Sequence, residues 1–592
     1  MKNTAKNIKT TAQRISFSSL RRILGPIFKR YRFRLALGFA ALLLVDMMQL
    51  FIPKIMQHAI NGISTGTITE RGLLLTGTLI IALAVGIVLL RFIWRILIVG
   101  FSRLLERRLR DDIFSHLLEM DTAFFSRYST GDLMAHSSND LSAVQMACGM
   151  GLVAAVDSIV MSLAAMGFMA TIDVKLTCIA LLPLPLLAIS TRYLSARLHL
   201  YFSRVQEKFA GLTEFSRSTL LSIGLIKAWT MEEFQTRYFN RLGKSYMASN
   251  MDVARIQGVI NPLSALTGSA GILLVLYVGG RLVISGSVTI GGFIAFIAYL
   301  YMLIWPMIAI GWVTSLMQRG LTSLGRVEKI LQSRPQLPDP PLPAGVTLHG
   351  REFRLVNASL TLGETQVLDA VNLTFGPGTH GITGRTGSGK STLCRLLARL
   401  HPVENGMLCF DGLDVNTLPL TAVREQIAWA GQEPVLFSDS IRNNIAFGRP
   451  DASLEEIRHA ARMAAMDDEI LTLAAGYDTL IGERGIKLSG GQRQRLSLAR
   501  ALLCKRPILI IDDGLSAIDT ATEYEIFSHL RQGGHRIIIF VSNRIKMLSM
   551  MDKVHILDEG RLVHSGNHQE LLVTSSFYRA MYDKQMRENA DA

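Results

Sequence analysis

Cysteine is scarce: five in 592 residues, at Cys148, Cys178, Cys394, Cys409 and Cys504. No paired metal or redox spacing links them, so they read as reduced structural thiols. Charge is scarce too, at 18% Asp, Glu, Lys and Arg against 49% hydrophobic residues, a balance that excludes a disordered or fibrous chain. Acidic residues are the rarer sign, 47 against 62 basic, for a net charge of +15. That deficit belongs to one half: residues 1–335 hold 17 acidic and 35 basic residues, whereas 336–592 hold 30 and 27. The excess basic residues flank long apolar runs instead of clustering on a polar domain. This argues against a nucleic-acid partner and for orientation in a membrane by the positive-inside rule. A mean hydropathy of +0.31 is also too high for an ordinary soluble protein.

A bilayer core of roughly 30 Å needs about 20 apolar residues per helix. The first half offers six such spans, near 35–56, 72–101, 147–171, 174–193, 256–283 and 289–317. Residues 1–34 precede any long apolar run and carry ten Lys/Arg, including Lys2, Lys6, Lys9 and Arg14. The expectation is a cytosolic basic segment with an elbow helix and no secretory signal. Alternation then makes the connections after spans two and four cytosolic, and both are long and basic (Arg103, Arg107, Arg108, Arg110; Arg204, Lys208, Arg217, Lys227). The connections at 171–175 and 283–289 are little more than turns, so two long hairpins and the C-terminal half share one side.

A charge within a span is costly and is a candidate for function. Asp46 falls near mid-depth, where it meets either a cationic substrate or an Arg on a partner. Arg91 and Arg95, one helical turn apart, read as anchors that snorkel to the headgroups. For Asp157 a hydrogen bond to a neighbouring helix suffices. Tyr299, Tyr301 and Trp305 read as packing residues or as the lining of a cavity.

Ser333 to Gly345 packs five prolines into thirteen residues and marks a linker between a membrane domain at 35–332 and a second domain at 346–592. Beyond it, short apolar runs at Gly381–Thr383, Ile508–Ile511 and Ile537–Val541 read as buried strands. Thr392–Arg399 and Arg493–Leu503 read as helices, an α/β pattern. Gly384-Arg385-Thr386-Gly387-Ser388-Gly389-Lys390-Ser391 matches G-x-x-x-x-G-K-[ST] between a strand and a helix. Its backbone N–H groups, with Thr392 in the first turn, suit phosphates. Lys390 reaches the terminal ones, and the Ser391 hydroxyl suits Mg²⁺. Asp512 ends an apolar strand and fits the magnesium shell. Between them lie Gln432 and Leu488-Ser489-Gly490-Gly491-Gln492.

Together, the phosphate loop, Gln432, Leu488 to Gln492 and the Ile508–Asp512 strand resemble an ATP-binding cassette (ABC) ATPase. Six preceding spans make the whole chain resemble a half-transporter of the exporter fold. Thr130 to Ala135 and Gly482-Glu483-Arg484-Gly485 resemble the MdlA-like bacterial multidrug half-transporters in particular. The implied fold is an all-α six-helix membrane domain followed by an α/β P-loop ATPase, in the bacterial inner membrane with its N-terminus and ATPase cytosolic. The implied ligands are ATP and Mg²⁺, with Ser391, Gln432 and Asp512 toward the metal. The implied partners are a second half-transporter, membrane lipid and an amphipathic small molecule. In that family the loop of one chain and the signature Ser489-Gly490-Gly491-Gln492 of the other enclose each ATP, and Ser516-Ala517-Ile518-Asp519 resembles the D-loop crossing the interface.

Three positions depart from the family pattern. Asp513 stands where the family usually has the catalytic Glu and is one methylene short; Asn543 replaces the usual switch His and cannot titrate. Where an aromatic usually stacks on adenine, Ser359 to Gly363 offers only Leu360 or Leu362. A site that binds ATP and hydrolyses it poorly follows, and with it a heterodimer whose partner supplies the competent residues. The hairpin tips near Asp121–Ser126 and Ala228–Phe234 resemble coupling helices, the second docking on the partner. Besides an exporter of drugs or lipids, the alternatives are a siderophore-type importer on the same fold and a catalytically weak gating subunit. The six spans exclude a soluble ABC protein.

Overall fold

The computed structural model describes residues 17–482 and 488–590; Lys2, Lys6, Lys9, Arg14 and the stretch Glu483-Arg484-Gly485 lie outside the described residues. The chain forms two compact units, one of residues up to Leu118 with Thr130–Ser333 and the other of Glu119–Ser129 with Arg334–Ala592.

The first unit is helical. After a short helix at Phe17–Arg30, six long runs follow: Arg32–Ser64, Glu70–Glu119, Thr130–Ile172, Val174–Leu181 continued by Pro183–Leu221, Glu232–Ile284 and Ile290–Leu331. Among the described residues four of them, Arg32–Ser64, Glu70–Glu119, Thr130–Ile172 and Ile290–Leu331, are long and apolar enough to cross a membrane. Ser269–Ile284 is a shorter apolar helix. The helices outrun the apolar stretches because their polar ends continue the same hydrogen-bond ladder. They break where a side chain takes over an orphan N–H. Thr69 accepts from Gly72 N, Asp173 from Leu176 N (2.7 Å) and Thr289 from Gly292 N (3.1 Å).

Among the described residues three π-turns interrupt these helices, at Arg95–Val99, His136–Asp140 and Ala147–Gly151. The first is held from a neighbouring helix, where the Arg34 guanidinium donates to the carbonyls of Leu97 and Ile96, both at 2.9 Å. A widened turn leaves carbonyls poorly satisfied, and a forked cation fills that need. One core gathers Leu50, Met169, Leu176, Val275, Phe296 and Leu303 around Tyr299. The buried Tyr299 hydroxyl donates to Leu50 O at 2.8 Å, close to Pro53, whose missing N–H thins the local ladder.

A polar network fixes the π-turn at His136–Asp140. Arg326 Nε donates to Asp140 Oδ2 at 2.9 Å and the Ser323 hydroxyl to Oδ1 at 2.8 Å; His136 Nδ1 lies 2.6 Å from Oδ2. Burial alone would raise the Asp140 pKa, but the bonds from Arg326, His136 and Ser323 together hold it down at about 2. A folded-state value below the ordinary 3.8 contributes stability above that value, lost as the pH falls through about 2. Replacing Arg326 with Gln should therefore destabilise the detergent-solubilised chain by about 1–3 kcal/mol at pH 7. The loss falls short of that for a fully buried pair because Arg326 is half exposed. In thermal unfolding the difference from wild type should vanish toward pH 2.

The second unit holds two sheets. β1 (Phe353–Leu362), β2 (Thr365–Phe375), β4 (Leu408–Phe410) and β5 (Leu413–Asp414) form an antiparallel sheet in the order β2-β1-β4-β5. β3 (Gly378–Gly384), β6 (Ile427–Ala430), β7 (Ile508–Asp512), β8 (Ile537–Val541), β9 (Lys553–Asp558) and β10 (Arg561–Gly566) form the other, in the order β10-β9-β3-β8-β7-β6. Pairing is parallel from β9 through β6 and antiparallel only at β10. β7 and β8 are buried at every residue, which is why they read as unbroken apolar runs. The helix after β3 begins at Lys390 and ends at Leu397, and the signature helix begins at Gly490, both earlier than apolar periodicity suggests because their first turns are polar.

The tip of the first hairpin, Glu119–Ser129, packs with this second unit. Asp121 caps the helix Thr122–Arg127 by accepting from Phe124 N at 3.0 Å, and its other oxygen accepts from Gln336 N in the proline-rich stretch at 2.5 Å. The Thr122 hydroxyl donates to the carbonyl of Leu400, just past the helix that starts at Lys390.

Candidate nucleotide site

β3 delivers the chain into a loop whose path only glycine tolerates. Gly384, Gly387 and Gly389 have φ of +147°, +84° and +94°. A Cβ on Gly384 would overlap the carbonyl oxygen of Leu557, and one on Gly389 would lie 2.8 Å from that of Val367. Lys390 folds over the loop, its Nζ donating to Gly384 O at 2.8 Å and Arg385 O at 2.7 Å. Burial lowers the proton affinity of that ammonium, opposed by the charges of Asp513 and Asp512. Arg385, Thr386 and Gly387 form the exposed crest, while Ser388 is buried beneath it with its hydroxyl lacking any partner. Thr392 follows in the first helical turn.

Ser391 Oγ donates to Asp512 Oδ1 at 2.8 Å, which joins the loop to the end of β7. Asp512 is 1% exposed, and burial raises its pKa against the pull of Ser391, Arg395 and Lys390. Asp513 follows in the left-handed region at φ +50°, its pKa also raised, by burial and by the neighbouring Asp512. Lys390, Arg544 and a hydrogen bond from Gln432 oppose that shift. The exposed Gln432 thus lies against Asp513, and Ser391 and Asp512 form the closer pair of the three residues assigned to the metal. Asn543 is exposed, its Oδ1 accepting from Thr383 Oγ1 at 3.0 Å, which leaves its amide N–H₂ as the free donor. Leu360 is buried in the core of the antiparallel sheet at 7% exposure, and Leu362 is 37% exposed.

The signature forms a capping box: Ser489 Oγ accepts from Gln492 N at 3.2 Å and Gln492 Oε1 from Ser489 N at 2.9 Å. Gly490 and Gly491 occupy the first turn, and the Gln492 amide is anchored by Glu469 at 3.0 Å. Asp519 caps the helix Thr520–Gln532 by accepting from Ala521 and Thr522 N. Three connecting residues escape a motif search. Gln494 bonds Ser516 Oγ and Ala517 N, tying the signature helix to the D-loop. Arg544 donates to the carbonyls of Ile518 and Ser516, both at 3.0 Å, and pairs with Glu523, which is 2% exposed. An Arg directly after the switch position is the signal available in the sequence; Gln494, lying between Arg493 and Arg495, has none.

These residues fit a magnesium nucleotide. The glycine cradle, the orphaned Ser388 hydroxyl and a lysine hydrogen-bonded to two loop carbonyls are donors that phosphates can engage. Ser391 and Asp512 are the residues that would hold magnesium, which when bound would supply positive charge beside the phosphates. Chain segments that match known proteins agree. The family described as "ABC transporter transmembrane region" matches residues 35–307, and that described as "ABC transporter" matches 368–516. The chain is 38% identical over 574 residues to "Multidrug resistance-like ATP-binding protein MdlA" of Escherichia coli (strain K12), covering 95% of this chain and 96% of that one. It is 34% identical to the "Probable multidrug resistance ABC transporter ATP-binding/permease protein YheI" of Bacillus subtilis (strain 168), over 97% and 99% of the two chains. An "ATP-dependent lipid A-core flippase" of Desulfotalea psychrophila is 31% identical over 82% of this chain and 85% of its own. Among solved structures, "Structure of a bacterial Atm1-family ABC exporter with ATP bound" superposes with a TM-score of 0.79 at 25% identity, over 94% of this chain and 99% of that one.

Fold and site therefore define an ATPase cassette joined to a helical membrane domain. The chain belongs to the ABC transporter family, as a half-transporter of the exporter fold, and couples ATP hydrolysis to transport. As in other exporters of this kind, it works as a dimer.

Replacing Arg544 with Met strands the buried Glu523 carboxylate and frees two D-loop carbonyls. The expected loss is about 3 kcal/mol, and the double replacement with Glu523→Leu should recover part of it. Thermal unfolding of the four members of that cycle measures both.

Proposed function

We propose that this chain is one half of a heterodimeric exporter of amphipathic small molecules, drugs or lipids, in a bacterial cytoplasmic membrane. Its own loop binds ATP as a long-lived clamp, and its signature completes a hydrolytic site on the partner. The pair Asp513 and Asn543 carries the reading. A general base must come within about 2.6–3.2 Å of the proton it takes, directly or through one water. A carboxyl one methylene short, beside an amide that cannot titrate, removes both halves of that chemistry from one face of the nucleotide. The signature, by contrast, keeps its serine, both glycines and the capping box.

The domain plan follows: a basic segment with an elbow helix at 1–34, a six-span membrane domain at 35–332, a linker at 333–345 and the ATPase at 346–592, with the N-terminus and ATPase cytosolic. The second hairpin tip supports a partner chain. Trp229, at 73% exposure, and Leu225, at 64%, stand uncovered on either side of the buried Ile226. These are the apolar residues a second ATPase domain would cover. The names of the multidrug and lipid A-core relatives favour export of amphipathic cargo.

Gentle affinity purification from host membranes, followed by intact-mass spectrometry, should recover a second half-transporter at equal stoichiometry, with Glu and His at the positions of Asp513 and Asn543. Recovery of this chain alone would sink the heterodimer. In the assembled complex, Lys390→Ala should abolish ATP-dependent transport in sealed vesicles, and unaffected transport would remove the clamp. Asp513→Glu combined with Asn543→His should raise ATP turnover by about tenfold or more, read as phosphate release.

A further inference from the structure

The helix Ser576–Ala590 packs one face on the core of the ATPase unit. Tyr578 is fully buried there, and Met581 and Tyr582 lie partly buried against the same core. The start of this helix is pinned further. The Tyr578 hydroxyl lies 2.9 Å from His568 Nδ1, and Arg579 donates to the carbonyls of Leu572 at 2.7 Å and Val573 at 3.1 Å. Positions 578, 581 and 582 have the spacing of one helical face, and the next member of that face is 585. There the apolar pattern stops at a glutamine.

That glutamine reaches the switch segment. Gln585 Nε2 donates to the carbonyl of Asn543 at 2.8 Å, and its Oε1 accepts from the N–H of Ile545 at 2.9 Å. One planar amide thus spans Arg544 and pairs with the backbone on both sides of it. Ile545 opens the short helix Ile545–Leu548, whose preceding residue makes no side-chain cap, so the bond satisfies an N–H that the helix itself leaves orphaned. Few side chains can do both. An ionised glutamate of the same length accepts but cannot donate, asparagine is one methylene short, and leucine does neither.

What this bracket holds is the switch residue. The Asn543 side chain is tied to β3 by Thr383 and its backbone to the C-terminal helix by Gln585. Asn543 and Asp513 border one cavity of about 170 Å³, just past the ends of β8 and β7. Between the two bracketed residues, Arg544 holds the D-loop carbonyls of Ser516 and Ile518. A backbone shift at 543–545 therefore moves the Asn543 donor and the D-loop together.

We propose that the helix Ser576–Ala590 is a strut for the switch, with Gln585 the positioning residue that aims Asn543 at the terminal phosphate and so slows release of ATP from this chain's loop. The inference deepens, and rests on, the reading of that loop as a holding site for ATP.

The test uses the full chain with its copurified partner in nanodiscs, loaded with magnesium and either 8-azido-ATP or 8-azido-ADP. Excess unlabelled ATP is added, irradiation after increasing delays crosslinks the nucleotide that remains, and the label on this chain is read by intact mass. Gln585→Leu and Gln585→Glu should each shorten retention of the triphosphate by about three- to tenfold, as expected for the loss of one or two backbone hydrogen bonds. The diphosphate, which lacks the terminal phosphate, should leave at the wild-type rate, and its binding confirms that the variants fold. Asn543→Ala should also shorten triphosphate retention, and adding Gln585→Leu to it should change little, because the positioned group is already gone. A helix that only stabilised the fold would instead speed the loss of both nucleotides alike and add to Asn543→Ala. Either of those results, or triphosphate retention unchanged in both Gln585 variants, overturns the proposal. Rapid loss of the triphosphate from wild type would sink the holding site, while the ratio of variant to wild-type rates decides the strut in either case.

Discussion

Steric exclusion in one loop sets the terms for the nucleotide-binding unit. No side chain fits at Gly384 against Leu557 or at Gly389 against Val367. The backbone between them therefore passes close enough to β9 and β2 to turn its N–H groups and Lys390 toward a common centre. The parallel order β9-β3-β8-β7 then brings Asp512, Asp513 and Asn543 to that centre from the C-terminal ends of adjacent strands. Ser391 and Asp512, hydrogen-bonded across the gap, close the arrangement. Everything farther out depends on this geometry. The helix from Lys390 ends beside Leu400, whose carbonyl holds the first hairpin tip through Thr122.

Much of this was legible in the residues. Motifs fixed by backbone chemistry are local, and the glycine loop and the apolar strand ending in Asp512 could be read in place. Long apolar runs flanked by Lys and Arg gave the membrane half, and the turns at Asp173 and Ser285–Thr289 fall where the apolar pattern breaks.

What stayed hidden depends on contacts distant in sequence. Tyr299 reads as a packing residue with cavity lining as the alternative; its hydroxyl is spent on Leu50 O, 249 residues away, while Trp305 lines a cavity within the helical unit. Arg91 and Arg95 looked like headgroup anchors, yet both line that same cavity. Gln494 and Arg544 carry no motif of their own. Their importance appears only when the D-loop, twenty to thirty residues away in sequence, folds against them. That Asp121–Ser126 packs with the ATPase half was readable only by resemblance, since nothing local to those residues points to Gln336 or Leu400.

The three π-turns bear on how such membrane helices can be compared. A π-turn is in effect one residue inserted into an α-helix without a break. Each rotates everything beyond it by about 100° relative to an uninterrupted count, since successive residues of an α-helix are spaced by that angle. Between Glu70 and Glu119 the phase shifts once, at Arg95–Val99, and between Thr130 and Ile172 it shifts twice. A helical wheel drawn through either segment therefore assigns lipid, cavity and packing faces correctly on one side of the shift and wrongly on the other. Relatives that differ by a single residue in these helices can keep the same faces, the insertion being absorbed in place rather than propagated as a turn of the whole helix.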